Sequence, residues 1–378
     1  MPHKHPRLLF LILLLLFLLI GCQQNTAVEE PAANEAAAAD TEHEEEAEAT
    51  PHGDDHDHET AHSTEPTDKL VIYSGRTEDL VQPIIDQFAE LSGIEVEVVY
   101  GDTSEIAANL LEEGEDSPAD IFYAADPGGL GTVEELGLLT KLPDEILAKV
   151  PEKFSSDNGE WVGISGRARV IVYNNEKLTE ADLPDDMWGF TEPEWKGRIG
   201  WAPTNGSFQA MVTAMRATWG EKETSEWLSA IHANEPVIYE KNTPIVEAVA
   251  NGEVDVGFVN HYYLYRFIET EGDSFPARNY FLPGGGPGSL VMVSGAGILK
   301  NAQNAENAEL FINYLLSVPN QQYFASQTYE YPLVDGVNMP PLFQPFEEIT
   351  AMAIDIPLSH MSDLLGTAVL LEEAEVMP

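Results

Sequence analysis

From Leu70 onward, short apolar runs alternate with stretches whose apolar residues recur at helical spacing. Leu70-Val71-Ile72-Tyr73 predicts a strand that runs into the polar loop Ser74-Gly75-Arg76-Thr77. Leu80, Ile84, Phe88 and Leu91 then predict a helix face, and Gly93 its stop. Residues 95–100 predict the next strand, 104–113 the next helix, and 119–123 a third strand behind Pro118. A second series begins near Arg169, with strands over 170–173 and 199–201. The loop Pro203-Thr204-Asn205-Gly206-Ser207 opens a helix over 208–219, and 237–239 predicts a strand. Thr243-Pro244 supplies a hydroxyl cap and a first-turn proline for a helix over 245–251, which Gly252 ends. A strand over 254–259 then stops at Asn260-His261-Tyr262-Tyr263. Repeated βαβ rhythm implies parallel sheets, so the fold class is α/β. Two doubly wound halves carry their loops at the carboxyl ends of their strands, which places the expected ligand cleft between two lobes.

Ahead of this body the pattern changes twice. Lys4 and Arg7 precede the apolar run Leu8 to Ile20, which is shorter than the ~20 residues a membrane-spanning helix needs. Residues 1–21 therefore read as a signal peptide. Leu19-Ile20-Gly21-Cys22 has the form of a bacterial lipobox, in which the Cys22 thiol accepts a diacylglyceryl group. More than one acyl chain gives a durable anchor, so an extracytoplasmic lipoprotein tethered to the cell membrane is expected. Cys22 is also the only cysteine, which rules out an intramolecular disulfide. Residues 22–68 form the expected tether: almost no aliphatic residue larger than Ala, no aromatic, and too little apolar surface to offset backbone entropy, so disorder is expected there. Its His43, His52, His56, His58 and His62 lie among carboxylates, a mixture that either binds Zn²⁺, Cu²⁺ or Ni²⁺ loosely or is incidental to a solvated spacer.

Charge narrows the partners. The 18 basic and 65 acidic residues give 18 − 65 = −47, and a chain this acidic lacks the basic face that nucleic acid requires. Long-range attraction of cations follows from the same excess, without selectivity.

The order and spacing of several segments resemble the ferric-ion-binding extracytoplasmic proteins that serve ABC transporters, the bacterial transferrins. The resemblance runs from about Leu70 to Leu333 and rests on Ile72-Tyr73-Ser74-Gly75, Ser117-Pro118-Ala119-Asp120-Ile121-Phe122-Tyr123, Ser165-Gly166-Arg167-Ala168-Arg169-Val170, Trp195-Lys196-Gly197-Arg198-Ile199-Gly200, Lys241-Asn242, Asn260-His261-Tyr262-Tyr263 and Glu330-Tyr331-Pro332-Leu333. It implies a type II periplasmic-binding-protein-like fold with a hinged cleft. Lobe 1 would comprise 69–168 plus about 293–340, and lobe 2 would comprise 169–292 plus about 341–378. It also implies a monomer that binds Fe³⁺ with a synergistic phosphate or carbonate and delivers it to an ABC permease and its ATPase.

The resemblance assigns the metal to Tyr262 and Tyr263. Fe³⁺ is a hard cation that prefers oxygen donors, and a bound cation can take the proton from a phenol. Adjacent residues on a strand point to opposite faces, so both tyrosines can meet one ion only if the strand breaks there. Outside the family pattern, such a pair would by default be read as aromatic core beside Tyr265 and Phe267. The anion is assigned to Asn205, Gly206, Ser207, Asn242 and Asn260, since amide donors and a helix N-terminus suit an oxyanion. Arg76 and Arg167 are further candidates, as bidentate clamps or as structural ion pairs. The sequence departs from one branch of the family, which has a His and a Glu where Thr77 and Ala125 stand; Glu78 and Asp126 are the neighbouring oxygen donors, each one residue displaced.

Two competitors remain open from sequence. The same asparagines and arginines could hold a phosphonate or phosphate ester without iron. A metal-dependent hydrolase using Asp120, Asp126 or the tether is opposed by the wide spacing of His232, His261 and His360 and by the lack of any nucleophile elbow or phosphate loop, so no enzymatic activity is expected.

Overall fold

The computed structural model describes residues 68–354 and 356–377. The signal peptide, Cys22 and nearly all of the tether lie outside the described residues. Ten strands lie within them: β1 (Lys69–Ser74), β2 (Glu95–Tyr100), β3 (Ile121–Ala124), β4 (Trp161–Asn174), β5 (Ile199–Trp201), β6 (Val237–Ile238), β7 (Val256–Asn260), β8 (Ala277–Tyr280), β9 (Val291–Ile298) and β10 (Tyr331–Pro332). The helices are α1 (Glu78–Ser92), α2 (Thr103–Glu113), α3 (Pro127–Glu135), α4 (Asp144–Leu147), α5 (Gly206–Trp219) and α6 (Glu221–Ala233), followed by α7 (Asn242–Ala250), α8 (Tyr262–Glu271), α9 (Ala305–Leu315), α10 (Val318–Tyr323), α11 (Phe346–Met352) and α12 (Leu364–Glu373). No helix among the described residues is long and apolar enough to cross a membrane.

The strands follow the order β2-β1-β3-β9-β4-β7-β5-β6, with β8 and β10 also paired to β4. β1 pairs in parallel with β2 and β3, and β5 with β6 and β7, as the βαβ rhythm predicts. β4 joins the two groups. Its residues 161–168 run antiparallel to β9, whereas Arg169 to Tyr173 pair with Asn260 to Val256 of β7. All fourteen of its residues are buried. From sequence only 170–173 is legible as strand, because Gly163, Gly166, Arg167 and Arg169 interrupt the apolar pattern. Tertiary packing overrides that interruption: a Cβ at Gly163 would lie 2.7 Å from the Phe154 carbonyl oxygen, so this close approach admits only glycine.

Two helices differ from their expected form. In α1 the buried residues are Val81, Ile84, Ile85 and Phe88, whereas Leu91 is exposed beside the left-handed Gly93 cap, so the core-facing stripe is rotated from the one read in sequence. α7 begins at Asn242, with Lys241 at the cap position and no side-chain capping bond, so Thr243 and Pro244 sit inside its first turn rather than supplying the cap. Proline is tolerated there because first-turn amides have no intrahelical acceptor.

Two large apolar cores result. One gathers β1, β3, α1 and α9 around Ile72, Phe88, Phe122 and Phe311. The other gathers Trp195, Trp201, Phe208, Trp227 and Phe258. The C-terminal segment touches both sides of the fold. Leu370 and Leu371 of α12 join the second core, while the Ser362 hydroxyl donates to Glu135 of α3 at 2.7 Å and Asp363 pairs with Arg216 of α5 at 2.7 Å.

Candidate metal and anion site

β7 ends at Asn260 and α8 begins at Tyr262, separated by His261 alone. That is the break needed for two adjacent tyrosines to share a side. Successive residues of a helix differ by about 100° rather than the near-opposition of a strand. The two rings stack with centroids 4.3 Å apart and planes at 30°, and both line a cleft of about 380 Å³. Burial, together with the neighbouring Tyr262, pushes the Tyr263 phenol above its ordinary range. One turn along α8, the Arg266 guanidinium lies 5.2 Å and 5.7 Å from the Tyr262 and Tyr263 ring centres. His261, despite its position, belongs to the core. It is fully buried, stacks on Tyr331 at 4.6 Å and accepts the Ala168 amide at Nδ1, while burial pushes its pKa down to about 3 and keeps it neutral.

Asn205, Gly206 and Ser207 line the cleft at the N-terminus of α5, the helix end that suits an anion. Asn205 Oδ1 caps the helix by accepting the Ser207 amide at 3.1 Å and also accepts the Ser207 hydroxyl at 2.6 Å. Asn260 lines the cleft as well. Asn242 lies just behind that lining, donating from Nδ2 to Asn205 Oδ1 at 3.0 Å and to Ser207 Oγ at 3.3 Å. The five residues assigned to the anion therefore form one cluster, drawn from α5, α7 and β7.

The arginines separate in role. Arg76 lines the cleft, but its Nη2 is committed to Glu330 Oε2 at 2.7 Å. Burial alone would lower its pKa, and the Glu330 carboxylate instead holds it above the ordinary value. Arg167 is held more loosely, its Nε 3.8 Å from Glu330 Oε1, and its buried Nη2 has no hydrogen-bond partner among the described residues. It is thus the better placed of the two to meet an anion. Glu330 also accepts the Ser165 and Thr328 hydroxyls at 3.1 Å each. Burial would raise this carboxyl, but Arg76 and Arg167 outweigh burial and hold it below the usual range.

Thr77 and Ala125 both line the cleft, and neither brings a strong metal donor to it. Asp126 also lines it while capping α3, its Oδ1 accepting the Gly129 amide at 3.2 Å. Glu78 does not line the cleft. It is exposed in the first turn of α1, where a carboxylate suits the helix dipole. Asp102 and Glu240 on the rim went unnoticed in sequence. So did Arg169 and Glu330 as individual residues; the signal available for them was charge inside an apolar run and a motif distant in the chain. No group of three or more His, Cys, Asp or Glu suited to a metal occurs among the described residues.

Residues 83–351 match the family described as bacterial extracellular solute-binding protein. The major ferric iron-binding protein of Neisseria meningitidis serogroup B is 34% identical over 284 residues, covering 72% of this chain and 84% of that protein. Among solved structures, iron-bound HitA from Pseudomonas aeruginosa superposes with a TM-score of 0.76 at 33% identity, over 81% of this chain and 99% of that one. The Trichodesmium protein IdiA (FutA), in complex with iron and citrate, gives 0.70 at 28% identity, over 81% of this chain and 99% of that one. The two-lobed α/β architecture read from the sequence is the one shared with these structures. The chain belongs to the family of bacterial extracellular solute-binding proteins, and the three relatives named here are iron-binding proteins.

Proposed function

We propose that this protein is the solute-binding component of an ABC importer, a monomer anchored to the cell membrane through Cys22, that binds ferric ion with a synergistic oxyanion and delivers it to the permease and its ATPase. It is a binding protein and not an enzyme. The observation that carries the reading is the stacked Tyr262–Tyr263 pair facing a cleft that Asn205, Ser207, Asn260 and Arg167 also line. The phenols would supply two oxygens to the ion. Phosphate or carbonate would fill further positions from Asn205, Ser207, Asn260, the α5 N-terminus and Arg167, with Asn242 bracing them. Asp126 is a further candidate oxygen donor from the other side of the cleft, where Thr77 and Ala125 contribute little. In this reading residues 69–168 and about 293–340 move as one lobe against 169–292 and about 341–378, hinged where β4 and β9 pass between the two groups of strands.

An absorption spectrum with metal analysis tests it. The purified protein with ferric citrate is expected to develop a visible tyrosinate-to-iron charge-transfer band, and its ferric affinity to rise on adding phosphate or carbonate. Identical affinity in anion-free and anion-rich buffer would remove the synergistic anion from the account. A second reading, a phosphonate or phosphate-ester binding protein without iron, is favoured by the donor-rich wall alone. It requires phosphate-ester binding with no visible band. Cys22→Ala is expected to move the protein from the membrane fraction to the soluble fraction; continued retention would defeat the lipid anchor.

A further inference from the structure

Arg169 is buried in β4, directly opposite Asn260 of β7, and no carboxylate pairs with it among the described residues. A buried cation without a counterion costs several kcal/mol, so stability alone would favour an apolar residue at this strand position. Its Nη1 instead reaches three oxygens, Ser207 Oγ at 3.1 Å, Asn260 Oδ1 at 3.1 Å and Asn242 Oδ1 at 3.4 Å. Nε and Nη2 have no hydrogen-bond partner among the described residues.

A guanidinium can only donate, so each amide it meets must present its oxygen and turn its NH₂ away. The consequence passes along the cluster. Asn242, with its oxygen held, sends its NH₂ to Asn205 Oδ1, which also receives the Ser207 hydroxyl and amide. The Asn205 oxygen is then fully engaged, which leaves its NH₂ for the cleft that Asn205 lines. Asn260, its oxygen fixed by Arg169, likewise has only its NH₂ to offer the cleft. With the amides reversed, the same residues would show carbonyl oxygens, the lining that suits a hydrated divalent cation.

We infer that Arg169 is a positioning residue that sets the hydrogen-bond polarity of the cleft wall, turning Asn205 and Asn260 into anion donors so that the site takes a metal together with an oxyanion and disfavours a bare divalent cation. The inference rests on the metal-and-anion reading of this cleft and adds to it the residue that decides selectivity.

Asn260→Asp is the decisive variant. It keeps an oxygen against Arg169 and supplies the missing carboxylate, but it replaces the cleft-facing donor with an acceptor. Phosphate binding by calorimetry, the phosphate dependence of ferric affinity and Zn²⁺ affinity are measured for parent and variant. Asn260→Asp is expected to weaken phosphate binding and the phosphate enhancement by about tenfold or more, the scale of one hydrogen bond to a charged group, and to strengthen Zn²⁺ binding. Arg169→Met is expected to move the same ratios in the same direction, and Arg169→Lys to restore part of them. A merely structural arginine would lower thermal stability and leave the phosphate and Zn²⁺ ratios alone. Unchanged ratios in Asn260→Asp overturn the inference even if Arg169→Met does not fold. Absence of a visible band in the parent would instead sink the iron reading, and phosphate calorimetry on parent and Asn260→Asp would still decide the wall polarity.

Discussion

Replacing both Tyr262 and Tyr263 by Phe is expected to abolish the visible charge-transfer band and lower ferric affinity by well over about a hundredfold. That scale follows because losing even an outer-shell partner of a metal ligand costs ~10–100-fold, and here two proposed ligands are removed. Phe preserves the stacked rings, whose centroids lie 4.3 Å apart, and deletes only the oxygens, so folding should be little changed. Each single variant should keep a weakened, shifted band, because one phenolate remains. The checking measurement is a ferric titration against a competing chelator, with circular dichroism to establish the fold. A double variant that retained the band and the affinity would show that iron binds elsewhere.

Glu330→Gln is expected to destabilise the protein by about 3–5 kcal/mol, the usual range when one partner of a buried ion pair is removed. Its carboxylate is fully buried, is paired with Arg76 at 2.7 Å and lies 3.8 Å from Arg167. Gln has the same shape, but it removes the negative charge and leaves two buried guanidiniums uncompensated. The pH dependence follows with a definite sign. The folded carboxyl is held below its unfolded value of about 4.3, so its contribution is fully present above that pH and is lost as the pH falls through the folded value. Denaturant midpoints between pH 3 and pH 7 should therefore differ by a constant amount above about pH 4.3 and draw together as the pH falls below it. Equal midpoints at neutral pH would show that the ion pair contributes nothing to stability.

The sequence by itself determined what is local. The alternation of strand and helix periods carried the α/β class, and the stop after 254–259 placed the tyrosine pair where β7 gives way to α8. The polar run Asn205-Gly206-Ser207 marked the start of α5, since a capping residue and the first helical turn are neighbours in the chain. Only the tertiary structure decided partnership. Arg76 and Glu330, 254 residues apart, meet only once β10 pairs with β4 beside Glu330, and no local pattern encodes that meeting. β4 itself was legible only over 170–173, because its glycines obey close backbone approach and Arg167 a buried charge pairing rather than hydrophobic periodicity. Glu78 and Asp126 looked equivalent as neighbouring oxygen donors, yet α1 turns one to solvent while the cap of α3 holds the other at the cleft. Arg169 is the clearest case. Composition reads it as one more charge, and only the convergence of β4, α5, α7 and β7 puts three oxygens within reach of a group that can do nothing but donate.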